Sequence, residues 1–199
     1  MVLEDKRGET PFAARDIMLD VWKHLTELSF RGFGKKRRKK PKEPKNWNEW
    51  SEKSKENWIR TNEMKLAQQE QWDLMFINNE TRVVDAFCRK IVCLIDGANT
   101  LNPQFLFECD DQRRMQNEAI GLCNNLKREL NHIADTIPCN KNFLVIVTQE
   151  IDKELAALRG WRKSCNETRG KVLENEIMRR KKAAEKTGFI LMQEDAKGT

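Results

Sequence analysis

The sequence contains no tyrosine, two histidines and nine glycines among 199 residues. No Asn-Gly or Asp-Gly pair lies between alternating apolar residues, as it would in a β-hairpin. The pair Asp96-Gly97 falls inside a helical pattern instead. The scarcity of strand and hairpin signals therefore predicts an all-α protein.

Long apolar runs are also missing. The longest unbroken aliphatic or aromatic run is Phe143–Val147, far short of the roughly 18 to 20 residues that a membrane helix needs. The charged start, MVLEDKRGE, does not have the pattern of a signal peptide. We therefore expect no membrane partner and a cytoplasmic, intracellular location.

Six cysteines are present, but no two have Cys-x-x-Cys spacing. Scattered thiols in a chain of this size favour buried cysteines in a reducing compartment over a disulfide framework or a zinc site. Glu129 and His132 have the Glu-x-x-His spacing of di-metal helix bundles. His132, however, points away from the apolar seam of its helix, and no second Glu-x-x-His occurs. We predict no metal site and no cofactor.

Motifs of catalysis are absent as well. The sequence has no Gly-x-Ser-x-Gly elbow, no Walker loop and no Gly-x-Gly-x-x-Gly after a strand. We therefore predict no catalytic residues and expect that the protein is not an enzyme.

The positive charge is local. The net charge is +6, but residues 31–46 hold nine basic residues and one Glu, so the rest of the chain is slightly acidic. Leu, Ile, Val and Phe make up 46 of the 199 residues. That content is enough for one modest core and is only just above the disordered range.

Apolar residues at helical spacing predict four amphipathic helices that form a four-helix bundle. A long, basic, helical excursion separates the first helix from the second, and a helical appendage follows the fourth, starting near Ser164–Glu167. The predicted segments are a first bundle helix (1–30), a basic Pro-containing arm (31–46), a Trp-rich polar helix (47–79), the remaining three bundle helices (80–165), and a basic C-terminal helix with a frayed tail (166–199).

Six consecutive cations form the centre of the arm. Like charges at this density repel one another, which predicts an extended segment that binds a polyanion through phosphate contacts. A solubilising loop and a nuclear-import signal have the same composition. The predicted nucleic-acid-binding residues of the arm are Lys35, Lys36, Arg37, Arg38, Lys39 and Lys40.

The arm is followed by a series with steps of three, four and seven residues, which predicts that its four tryptophans form one stripe along a helix: Trp47, Trp50, Ser54, Trp58, Lys65, Trp72 and Phe76. Trp47, Trp50 and Trp58 could stack on unpaired bases. The regular spacing favours the alternative, in which they pin the helix to the bundle or to a protein partner.

A second cationic cluster lies near the end of the fourth helix, where cations are also ordinary partners of the helix dipole. Its predicted nucleic-acid-binding members are Arg159, Arg162, Lys163, Arg169 and Lys171, and Trp161 is a further candidate for stacking or for an interface.

The stretch QRRMQNEAIGLCNNL, residues 112–126, opens a bundle helix. It resembles the Gln-Arg-x-x-Asn-x-Ala helix of the accessory variability determinant proteins of diversity-generating retroelements, and of related four-helix bundles encoded within ribosomal RNA intervening sequences. Arg113 and Arg114 both compete for the Arg position of that helix, and Asn117 and Ala119 follow; the residues that carry over are Arg113, Arg114 and Asn117. The resemblance implies a non-catalytic partner of a reverse transcriptase that binds RNA and other copies of itself, and a bacterial or phage source.

Together these patterns predict an RNA-binding accessory subunit of a reverse-transcriptase ribonucleoprotein. Its expected partners are RNA or DNA, a reverse transcriptase or another protein subunit, and further copies of the chain. The alternative is a helical scaffold that binds protein through its tryptophan stripe and has only incidental polyanion affinity.

Overall fold

The structure, a computed structural model, describes the backbone of residues 9–195 and the side chains of residues 13–185. Within that range the chain forms four α-helices: α1 (Glu9–Phe30), α2 (Glu52–Thr100), α3 (Leu106–Thr136) and α4 (Lys141–Asp195). The all-α prediction is confirmed. No helix among the described residues combines the length and the hydropathy needed to cross a membrane. The predicted first segment and frayed tail lie partly outside the described residues, at 1–8 and 196–199.

Each helix packs against two others, and packed neighbours run antiparallel. Arg15 and Trp22 of α1 bond to Asp96 and Asp85 of α2, so residue numbers fall along α2 as they rise along α1. Ion pairs also join the other packed helices: Lys90–Glu118 between α2 and α3, Lys127–Asp152 between α3 and α4, and His24–Glu150 between α1 and α4.

The core is one continuous cluster to which all four helices contribute. The apolar positions that carry the helical period in the sequence are the buried ones, because a 3.6-residue repeat places them on one face of each helix. Members with 1 % exposure or less include Met18, Leu25, Ile91, Ile95, Leu126, Leu130, Ile133, Ile151 and Leu158.

The two longest helices extend beyond the bundle, at opposite ends. α2 starts at Glu52 and passes through residues 79–80 without a break, because neither Pro nor Gly occurs between Glu52 and Asp96. The expected separate Trp-rich helix is therefore the first half of α2. Its first 25 residues, up to Phe76, add a length of about 37 Å beyond the end of α1.

The predicted C-terminal appendage is not a separate helix. Ser164 and Glu167 have the spacing of a capping box, yet both lie inside α4, which continues to Asp195. No proline follows Pro138, so nothing ends the helix at Ser164. The expected appendage is a direct continuation of the fourth bundle helix.

A tight turn leads from α1 into the basic segment. Gly32, Phe33 and Gly34 all have positive φ angles, of 60°, 54° and 71°. Phe33 is fully buried and anchors the turn in the core. Gly34 accepts a hydrogen bond through its carbonyl from the Asn140 amide at 2.9 Å, and the Lys36 amide donates to the Pro138 carbonyl at 2.6 Å. The start of the basic segment is therefore fixed to the α3–α4 connection.

Candidate nucleic-acid interface

One buried carboxylate holds the basic arm, residues 31–46, against α2. Asp73 is fully buried, and Arg38 donates to both of its oxygens, from Nε at 2.9 Å and from Nη2 at 2.6 Å. Lys35 Nζ lies 3.3 Å from Oδ2 of the same carboxylate. The hydrogen bond from Arg38 has the largest effect on the Asp73 pKa and lowers it; Lys35 lowers it further, against the opposing effect of burial.

The prediction of an extended arm in which all six cations are free is therefore wrong at Lys35 and Arg38. Both side chains are partly covered, with exposures of 17 % and 26 %, because a carboxylate distant in sequence neutralises them. A cation can be covered when it is paired and hydrogen-bonded, and Asp73 supplies the partner.

The other four cations of the run are exposed: Lys36, Arg37, Lys39 and Lys40. None of them has an acidic partner within the described part of the chain. Lys36 is tied through its backbone to Pro138, and Arg38 is tied through its side chain to Asp73. The arm thus presents four unpaired positive charges on a backbone that is anchored from two sides.

Beyond Arg38 the arm folds back along the projecting half of α2. Lys40 and Pro41 line a groove together with Asn62 and Leu66, and Trp47 packs against Trp58. The covered face of α2 has a period of three to four residues, and its members are Trp58, Asn62, Leu66, Asp73 and Ile77. The arm therefore supplies the partner surface for the projecting half of α2.

Three tryptophans form a cluster where the arm meets α2. The Trp47 ring lies 5.7 Å from Trp50 and 5.2 Å from Trp58 between centroids, the latter contact edge-to-face. Trp47 lies in a 3-10 turn, and α2 begins only after Ser51, whose side chain accepts from the Ser54 amide. The predicted single helical stripe is therefore wrong for Trp47 and Trp50, which reach Trp58 by folding back.

The second cationic cluster spans α3 and α4. Arg162 Nη1 donates to Asn117 Oδ1 at 2.7 Å, which joins a residue of the 112–126 motif to the α4 cluster. Arg169 pairs with Asp110 at 3.0 Å. Arg114 pairs within α3 with Asp111, at 3.3 Å. The remaining predicted members are exposed and have no ion pair in the described structure: Arg113, Arg159, Lys163 and Lys171.

Trp161 is not part of that surface. Its side chain is only 4 % exposed and packs in the core cluster, so its ring is not accessible for stacking on a base. The two cationic surfaces are also far apart, because Asp110 and Pro138 lie near opposite ends of α3. The 26 residues from Asp110 to the end of α3 at Thr136 correspond to about 39 Å of helix. The structure therefore forms two separate basic surfaces.

Buried carboxyl groups are the residues that sequence reasoning missed. Glu80 is 5 % exposed, and Asn79 Nδ2 donates to its Oε1 at 3.0 Å. Burial has the largest effect on the pKa of Glu129 and raises it, and the neighbouring Glu80 carboxyl raises it further. His132 is exposed and lies edge-on to Phe76, with a centroid distance of 5.6 Å. Among the described residues, no group of three or more His, Cys, Asp or Glu side chains is arranged to hold a metal ion.

Asp73 could have been found from the pattern of its helix. It falls on the same stripe as Leu66 and Ile77, where an apolar residue would be expected. An acidic residue on an apolar stripe needs a cation as its partner. The adjacent basic run supplied many candidates, but the sequence did not show which of them would reach it.

Comparison with known proteins adds no relative. No model of a protein family, no curated protein and no solved structure matches the chain. The assignment of the candidate interface therefore rests on the geometry and chemistry of its own residues.

Proposed function

We propose that the protein is a non-catalytic, RNA-binding accessory subunit, a four-helix bundle whose anchored basic arm holds single-stranded RNA. The observation that carries the proposal is the arrangement around Asp73. That carboxylate neutralises only Lys35 and Arg38, while it fixes the backbone on which four exposed cations stand. An anchored row of cations loses less conformational entropy on binding a phosphate chain than a free tail would.

The neighbouring aromatic residues favour single strands. Trp47, Trp50 and Trp58 lie half-buried where the arm meets α2, so each has a partly accessible ring. Unpaired bases stack on such rings, whereas the bases of a duplex are already stacked on one another. The association with a reverse transcriptase rests on the resemblance of residues 112–126 alone, and Arg113 and Asn117 of that stretch are exposed.

The test is the salt dependence of RNA binding. Replacing Lys36, Arg37, Lys39 and Lys40 together with Ser removes four phosphate contacts, which should reduce the slope of log K against log salt by about 3 for a single strand. The matched control replaces four exposed cations on the bundle with Ser: Lys23, Arg82, Arg128 and Lys153. Equal slopes for the arm variant and the control variant would refute the proposal.

A scaffold function is the second candidate, favoured by one observation. Met64, Leu74 and Met75 lie on the projecting half of α2 with exposures of 57 %, 57 % and 65 %. Exposed apolar side chains on a projecting helix suit a protein interface. Replacing all three with Gln would abolish assembly with a protein partner and leave the salt slope of RNA binding intact if this candidate is correct.

A further inference from the structure

A groove lies between the basic arm and the projecting half of α2. It has a volume of about 240 Å³, and Lys40, Pro41 and Glu43 of the arm line one side. Trp58, Asn62 and Glu63 are among the α2 residues on the other side. The groove has an aromatic wall, a cation at its edge and three groups that can accept hydrogen bonds.

The aromatic wall is held in place. Trp47 packs edge-to-face on Trp58 at 5.2 Å between centroids, and Asn62 Nδ2 donates to the Trp58 carbonyl at 2.8 Å. The amide group of Asn62 is therefore oriented by its own helix, with Nδ2 engaged and Oδ1 left as an acceptor. A fixed ring loses little freedom when a flat ligand stacks on it.

The hydrogen-bonding groups of the groove are mainly acceptors. Glu43 and Glu63 are exposed and have no hydrogen-bond or ion-pair partner within the described residues. Ionised carboxylates accept hydrogen bonds and do not donate them. Glu63 lies across the groove from Lys40 and repels a phosphate, so a bound nucleotide places its phosphate at Lys40 and its base towards Glu63.

We propose that this groove binds one unpaired nucleobase of the RNA, and that it prefers guanine. The base stacks on Trp58, its phosphate lies at Lys40, and Glu63 accepts from its Watson–Crick edge. Guanine offers that carboxylate two adjacent donors, N1–H and the N2 amino group. Adenine and cytosine offer one amino group each, and the single N–H of uracil stands between two carbonyl groups that repel a carboxylate. The inference rests on the proposed function, because the arm must first hold the strand.

The experiment uses the full chain and nine-residue uridine oligomers with one central G, A, C or U. Wild-type protein should bind the G oligomer about fivefold tighter than the all-U oligomer, near the low end for a two-bond base contact. Glu63→Gln should reduce that ratio to near one. Glu56→Gln, an exposed position on the same helix outside the groove lining, should preserve it.

Trp58 provides an independent readout. Trp58→Leu should weaken binding of all four oligomers and leave the salt slope unchanged, whereas Trp58→Phe should restore most of the affinity. Trp72→Leu is the control, since Trp72 is exposed on α2 and stacks on Phe76 instead. Circular dichroism of each variant checks that helicity is retained.

The outcomes separate the two proposals. If wild-type protein binds all four oligomers equally, with a steep salt slope, the groove inference is overturned and the RNA-binding proposal stands. If Glu63→Gln keeps the preference for guanine, the inference is likewise overturned. If no oligomer binds at any salt concentration, the RNA-binding proposal itself fails.

Discussion

Arg38 donates two hydrogen bonds to Asp73, 2.9 Å and 2.6 Å long, although the two residues are 35 positions apart in the sequence. This fork fixes the arm in the middle, between the turn at Gly34 and the tryptophan cluster. A planar guanidinium matches a carboxylate in this geometry, which an ammonium group cannot do. The pair therefore determines the positions of the four exposed cations of the arm.

Replacing Asp73 with Asn should release the arm. Loss of the charge-assisted hydrogen bonds should lower the free energy of unfolding by about 1–3 kcal/mol at pH 7. Because Arg38 and Lys35 lower the pKa of Asp73, the stability from this pair is present above the ordinary Asp pKa and is lost as pH falls through the folded value. Trypsin should cut residues 35–40 of Asp73→Asn faster than in the wild type. Equal cleavage rates would show that other contacts hold the arm.

The buried carboxyl of Glu154 should make stability depend on pH in the opposite direction. Its side chain is fully buried, neither oxygen has a hydrogen-bond partner among the described residues, and burial raises its pKa to about 8. Between the ordinary value of 4.5 and about 8 the unfolded chain is ionised while the native chain keeps its proton. Stability should therefore fall by up to about 1.4 kcal/mol per pH unit as pH rises through this window.

Glu154→Met should remove that slope and increase the free energy of unfolding at pH 8. The exposed Glu167 of the same helix provides the control, and Glu167→Gln should retain the slope. Urea unfolding between pH 5 and pH 9 measures both effects. A slope that persists in Glu154→Met would assign the pH dependence to another group.

Two glycines should respond to alanine in opposite ways. Gly34 has a φ of 71°, and an added Cβ would lie 3.0 Å from Phe143 Cδ2, so Gly34→Ala should cost about 1–2 kcal/mol. Gly121 lies inside α3, and no side chain or neighbouring segment in the described part of the structure lies within 4 Å of an added Cβ. Gly121→Ala should stabilise the protein by about 0.5–1 kcal/mol, through helix propensity. Thermal unfolding of the pair measures both, and a stabilising Gly34→Ala would contradict the strained turn.

The cysteines should differ in their rates of reaction with a thiol reagent. Cys93 is exposed, whereas Cys88 and Cys123 are fully buried. Burial raises the pKa of Cys88 to about 12 and raises that of Cys123 as well, so neither forms the thiolate near neutral pH. A thiol-exchange reagent should modify Cys93 first. Cys93→Ser should eliminate the fast phase and Cys88→Ser should preserve it; a fast phase in Cys93→Ser would indicate that another thiol opens readily.

The helical core could be predicted from the sequence, because the buried residues are those that repeat with the apolar period of each helix. Leu126, Leu130 and Ile133 lie at helical spacing in the sequence of α3, and each has 1 % exposure or less. The direction of His132 away from that seam also followed from helix geometry, and its side chain is exposed. Such features depend on the spacing of residues within one helix, which a sequence states directly.

The arm could be predicted only in part, because its position depends on contacts between distant segments. The charge run identified the cations, but the choice of Arg38 over Arg37 as the partner of Asp73 depends on where the backbone passes α2. The continuity of α2 and α4 was missed for a different reason. A change of composition near residue 80 favours a boundary in α2, and the capping-box spacing of Ser164 and Glu167 favours one in α4. No proline interrupts either helix at these points, so both helices continue.

The overhang of the two long helices has a hydrodynamic consequence. α2 and α4 measure about 74 Å and 83 Å from their 49 and 55 residues, and they overrun the bundle in opposite directions. A compact chain of 199 residues would have a radius of gyration of about 16 Å. A particle longer than about 100 Å scatters X-rays with a clearly larger radius, tumbles anisotropically and elutes from a sizing column ahead of globular proteins of its 23.4 kDa mass.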